Sequence, residues 1–177
     1  MTATFDNPMS APPLPEPPVD DRLRALVDWW RGLGGQPPRW EGDHVQALKP
    51  WLGTLLVARY HGADEDSAHV TLYGTILASI LGEDLTGLSL REAAGPDDPD
   101  ALLSGYAKAR TSAKPHWCVV ALGGSPEPEI VYQRLLLPFR THGEDRMLAA
   151  MLYQRVPERG WTGESTKPRT LYSRLLD

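Results

Sequence analysis

The sequence predicts an α+β domain: a five-stranded antiparallel sheet with short helices on one face and an amphipathic helix on the other. Three observations lead there. Two strand-like runs, 54–60 and 68–73, are separated by helical segments from three more, 116–122, 129–139 and 146–156. The last two runs are apolar on both alternations. Leu148, Ala150 and Leu152 alternate with Met147, Ala149 and Met151, while Val131, Leu135, Leu137 and Phe139 alternate with Ile130, Tyr132 and Leu136. A sheet wetted on one side shows a polar residue at every second place, so both faces of this one need a cover. Finally, Leu23, Leu26, Val27 and Trp30 recur at i, i+3, i+4 and i+7, the stripe of a helix able to provide one of those covers.

In chain order, residues 1–19 carry the proline cluster APPLPEPPV and read as a disordered arm, because proline neither continues a helix nor joins a sheet interior. Pro12 and Pro15 match PxxP, a spacing that docks on aromatic grooves, within a composition that otherwise fits a mobile linker. Asp20 or Asp21 caps the first helix, which stops at Gly32, Gly34 and Gly35 before Pro37-Pro38. Trp29 lies off the apolar stripe and needs a second surface to cover it. A short turn capped by Asp43 over 45–48 leads to the first strand, and the polar HGADED joins it to the second. Residues 71–90 organise the rest. Gly74-Thr75 ends the strand period, Ile76, Leu77, Ile80 and Leu81 are spaced as a short helix, and Gly82 stops it. Thr86-Gly87 turns the chain into a second short helix over 88–94. Asp98-Pro99 starts a longer helix with Leu102, Leu103, Tyr106, Ala109 and Ala113 on its apolar side, ended by Lys114-Pro115. The three later strands follow, and the domain spans 20–156. The tail 157–177 has turn composition until 171–176, which reads as a terminal helical turn.

Gly74-Thr75, Gly82, Asp84 to Gly87 and Ser89-Leu90 resemble the signature of a PAS-like domain family of uncharacterised proteobacterial proteins. Trp30-Arg31, Pro38-Arg39, Pro50 and Leu52 upstream, and Leu137-Pro138 with Gly143 downstream, extend the resemblance over roughly residues 23–154. Thr71 and Leu88 stand where that family is expected to carry arginines, so anion contacts made by those arginines do not transfer. The resemblance implies strand order 2-1-5-4-3, with the first and last strands at the centre, and a sensory or signalling role.

Composition narrows the function. The chain of 177 residues has a net charge of −5 and no Lys/Arg-rich run, which argues against a nucleic-acid partner. No apolar segment is long enough to span a bilayer, and no basic-then-apolar start marks a secretory signal. One cysteine, Cys118, precludes an internal disulfide and suits a reducing compartment, so the expected location is cytoplasmic. His44, His61, His69, His116 and His142 show no metal-ligand spacing, and no metal is expected. None lies in the pocket-forming helices and no flavin-attachment motif is present, so haem and flavin are not expected either. No nucleophile elbow, phosphate loop or HExxH motif appears, and no enzyme activity is expected.

Arg134 is the informative charge. It interrupts an apolar strand on the face of Tyr132 and Leu136, and such a charge needs a counter-ion, water or a ligand. A ligand with an anionic or carbonyl group is one reading, and a structural ion pair or outward exposure is the other. His116 and Cys118 share a face of their strand, where Cys118 reads as a buried structural residue. Aromatic bodies with polar tips suit a cavity with directed hydrogen bonds. The candidate ligand-binding set is therefore Tyr73, Leu77, Leu85, Trp117, Tyr132, Arg134 and Tyr153, with Leu23, Leu26, Val27 and Trp30 as the outer-face or homodimer helix. The expected function is a stand-alone sensory module that binds an unidentified small molecule and relays it through a homodimer or a signalling partner protein. A ligand-free interaction module is the alternative, and a small α+β enzyme relying on His116 and Arg134 is the third.

Overall fold

In the computed structural model, residues 19–96, 98–123, 130–156 and 169–177 are described. The arm 1–18, with its PxxP match, and most of the tail lie outside them. Helix α1 (Asp21–Gly32) is followed by α2 (His44–Leu48) and a 3₁₀ turn (Lys49–Thr54). Strands β1 (Leu55–Tyr60) and β2 (Ala68–Tyr73) precede α3 (Thr75–Leu81), α4 (Leu90–Ala93) and α5 (Pro99–Ser112). Strands β3 (His116–Leu122), β4 (Ile130–Arg140), β5 (Asp145–Arg155) and β6 (Arg169–Leu175) complete the order.

All strand pairs are antiparallel, and the sheet runs β2-β1-β5-β4-β3-β6. The first five strands thus follow the order that the PAS resemblance implies. The sheet has six strands rather than five, because residues 169–177 are not a helical turn. They pair with β3, His116 opposite Leu175 and Cys118 opposite Ser173. This moves the middle of the sheet to β5 and β4.

Alternation along the strands divides the interior into two layers. Leu55, Val57, Trp117, Val119, Leu135, Leu137, Leu148 and Ala150 face α1, while Leu56, Ala58, Cys118, Val120, Leu136, Met147 and Ala149 face α3, α4 and α5. Helix α1 starts where the Asp20 carboxylate accepts the Arg22 amide, satisfying a donor with no partner inside the helix. Its Leu23, Leu26, Val27 and Trp30 are all buried against the sheet, and the Trp30 indole donates to the Pro138 carbonyl at 2.9 Å. That stripe is used up within the chain and offers no apolar surface to a second subunit. Trp29 is covered instead by His44 and Phe139, with ring centroids 5.6 and 6.2 Å away. Asp43 makes no side-chain cap to α2; the Glu41 amide donates to His44 Nδ1 at this turn. Among the described residues no helix is long and apolar enough to cross a membrane.

Candidate functional site

The segment after β2 closes the helical face of the sheet. A side chain at Gly74 would place its Cβ 2.3 Å from the Gly53 carbonyl oxygen, so only glycine lets the chain cross here. The Gly74 amide donates to the Leu55 carbonyl, and α3 begins at once. Gly82, at φ 85°, ends α3 in the left-handed region that disfavours a side chain. The Asp84 carboxylate then accepts the Thr86 amide and hydroxyl at 2.9 and 2.7 Å. The Gly87 amide donates to the Val70 carbonyl, and the Val70 amide to the Leu88 carbonyl, which covers the outer edge of β2. A reciprocal Ser89–Glu92 cap starts α4, and Asp98 caps α5 by accepting the Ala101 amide.

Beneath this cap lies a cavity of about 60 Å³. Leu81, Leu85, Ala93, Leu102 and Tyr106 form its roof, and Tyr73, Tyr132, Arg134, Met151 and Tyr153 its sheet side. It is far smaller than the roughly 300–1,000 Å³ of a cofactor or drug-sized pocket. It holds a few waters or a ligand of a few heavy atoms unless the helices move. Burial raises the phenol pKa values of Tyr73, Tyr132 and Tyr153, so these groups stay neutral hydrogen-bonding tips.

Arg134 is 1% exposed and sits mid-strand opposite Cys118 on one side and Met151 on the other. Its Nη2 donates to the Leu102 carbonyl at 3.3 Å, its guanidinium lies 5.0 Å from the Tyr106 ring, and its Nε has no partner among the described residues. Burial opposes its charge, and Cys118, Tyr106 and Tyr132 act the other way, leaving its pKa raised. None of those three is a carboxylate, and no salt bridge to Arg134 occurs among the described residues. The guanidinium also borders a second recess, a groove of about 480 Å³ between α5 and β6 that includes Lys108, His116 and Arg169. His116 is 2% exposed, with neither ring nitrogen hydrogen-bonded among the described residues. Burial, with Arg134 and Lys108 adding repulsion, lowers its pKa to about 4.

Of the expected ligand set, Tyr73, Leu85, Tyr132, Arg134 and Tyr153 meet at the cavity, and the Tyr132 and Tyr153 rings pack 5.3 Å apart. Leu77 is wholly buried in the same layer but does not line the cavity. Trp117 is misplaced in that set. It lies on the α1 face, where its indole donates to Gln133 Oε1 at 2.9 Å and Arg174 stacks at 5.2 Å. The correction follows from strand parity, since Cys118 opposite Arg134 sends Trp117 to the other side. Gly105 and Tyr106 complete the Arg134 environment. A Cβ at 105 would come within 3.0 Å of Arg134 Nη2 and 3.1 Å of His116 Cε1, so the missing side chain lets α5 sit directly over both. Elsewhere, ligand atoms of Glu41, Asp43 and His44 lie within 4.8 Å of one another. His44 already accepts from the Glu41 amide and packs edge-on against Trp29 and Trp40, which is a structural use of the ring.

No protein-family model and no curated protein matches the chain. A solved structure that does match is the PAS domain of an HTR-like protein from Haloarcula marismortui, at 20% sequence identity and a TM-score of 0.38. The match covers 64% of this chain and 99% of that one. At that score the likeness adds no argument to the strand order described above.

Proposed function

We propose that the chain is a cytoplasmic, PAS-like signalling module without catalysis of its own, which binds a small anionic or carbonyl-bearing molecule beneath α3, α4 and α5. The observation that carries this reading is the buried Arg134 guanidinium, which lines the cavity without a carboxylate partner among the described residues. An unpaired buried charge costs several kcal/mol, and a ligand oxygen offsets that cost. The tyrosine tips around it supply direction, and the leucines exclude water. Relay follows from the alternation of β5. Met151 and Tyr153 border the cavity, while Ala150 and Leu152 on the same strand pack on the α1 side. An occupant that moves β5 therefore changes the seat of the outer helix, and a partner protein or a second copy reads the change.

The small volume favours a second reading, an interaction module whose core is simply filled. Native mass spectrometry of freshly purified protein separates the two. The sensing reading expects a retained small molecule that Leu85→Trp, placed to fill the cavity, removes. A ligand-free wild-type protein that also binds no small carboxylate or carbonyl compound in an NMR screen leaves the second reading.

A further inference from the structure

We infer that the groove between α5 and β6 is a separate binding site for a small doubly charged oxyanion, either a phosphate monoester or a dicarboxylate. Ser104 and Lys108 of α5, His116, Arg134, and Arg169 and Ser173 of β6 face one another across it. Three cationic side chains there meet one carboxylate, Asp98, which is already engaged with the Ala101 amide as the helix cap. Neither Lys108 nor Arg169 forms a salt bridge among the described residues. The excess of two positive charges matches a dianion, and the hydroxyls of Ser104 and Ser173 add neutral donors beside them.

His116 is the independent observation. It lines the groove, is 2% exposed, and has no hydrogen bond at either ring nitrogen among the described residues. A buried polar group left unmatched bears its full desolvation penalty, and an oxyanion seated between Lys108 and Arg169 supplies an acceptor for the ring N–H. Gly105 leaves room for that ring at the groove's edge, since a side chain there would press on both His116 and Arg134. Strand β6 supplies one wall, so the site forms only when the tail joins the sheet. Lys108, His116 and Arg169 do not border the cavity of the proposed sensing site, so these groups remain for the groove whether or not that cavity is occupied, and Arg134 alone is common to both.

The test is NMR of the full chain, following the His116 ring signals as inorganic phosphate and, separately, succinate are added at low ionic strength. Saturable shifts are expected with at least one of them, and the stronger response identifies phosphate or dicarboxylate chemistry. Lys108 and Arg169 are exposed, so Lys108→Ala and Arg169→Ala should keep the wild-type melting temperature. Each should weaken the anion about tenfold or more, as expected for a lost charged hydrogen bond. Absence of a saturable shift with either anion, or shifts unchanged in both variants, would overturn the site. Retention or loss of a molecule by Leu85→Trp reports on the cavity alone, so the two ideas fail separately.

Discussion

The two faces of the sheet come from the same strands yet are built to different standards. On the α1 side, Leu23, Leu55, Trp117, Leu135, Leu137, Leu148 and Ala150 are fully buried, and Gln133 and the Trp30 and Trp117 indoles have partners, while at the rim the Arg146 Nε beside the Trp40 ring has none among the described residues. On the α3–α5 side a cavity remains, and among the described residues an arginine lacks a counter-charge and a histidine has no hydrogen bond. The sealed face holds the fold together. The other keeps uncompensated polar groups, the pattern expected where stability has been given up for binding.

Breaking the sealed face should have the largest effect. Trp30→Ala removes a buried indole and its bond to Pro138, and should cost about 3–5 kcal/mol in urea unfolding. A loss below about 1 kcal/mol would mean that α1 is not seated as described. Next comes the acid response of the other face. With its pKa at about 4 in the folded chain and 6.5 ordinarily, His116 resists a proton that the unfolded chain accepts. Stability from this residue is complete above the ordinary value and declines as pH falls toward 4, by up to roughly 3 kcal/mol. The groups facing the ring are Arg134 on β4, Lys108 on α5, and Arg169 and Asp98 across the groove. His116→Gln should flatten the stability profile in that window in phosphate-free buffer. The carboxylates of Asp20, Asp84, Glu92, Glu144 and Asp177, all held below their usual values by hydrogen bonds or cations, lose their contribution at still lower pH. Wild type and variant with the same slope would mean that the ring is protonated, or wetted, in the folded state.

What could be read in advance follows the same division. Strands β2 and β3, the Asp98 start of α5 and the two-faced character of β4 and β5 were legible because each depends on local period or a cap. Strand β6 was not. RTLYSRL carries leucines at 171 and 175, a spacing that fits a helical turn, and as an exposed edge strand it shows no burial alternation. Within the site, Arg134 stood out as a charge in an apolar run, and the tyrosines as aromatic bodies with polar tips. Trp117 was placed wrongly because parity between β3 and β4 depends on register, which no local pattern specifies. The role of Gly105 was hidden for a related reason. A mid-helix glycine has no local signature of the arginine and histidine brought beneath it from two distant strands.

The smallest expected effect gives the sharpest comparison, because one change of residue type is made on each face. Ala150 on β5 is fully buried between Leu55 and Leu135 in the α1 layer. Two added methyl groups there have no space, so Ala150→Val should cost about 1–3 kcal/mol through overpacking, although valine favours a strand. Ala93 on α4 borders the cavity, where the same methyl groups enter empty volume. Their burial, at about 0.8 kcal/mol per carbon, offsets the weaker helix propensity of valine, so Ala93→Val should fall within about 1 kcal/mol of wild type. If both variants lose stability equally, the helical face is packed as tightly as the other and the hollow has no functional meaning. If only Ala150→Val does, the asymmetry is a property of the protein in solution, and the space beneath the helices is available for an occupant.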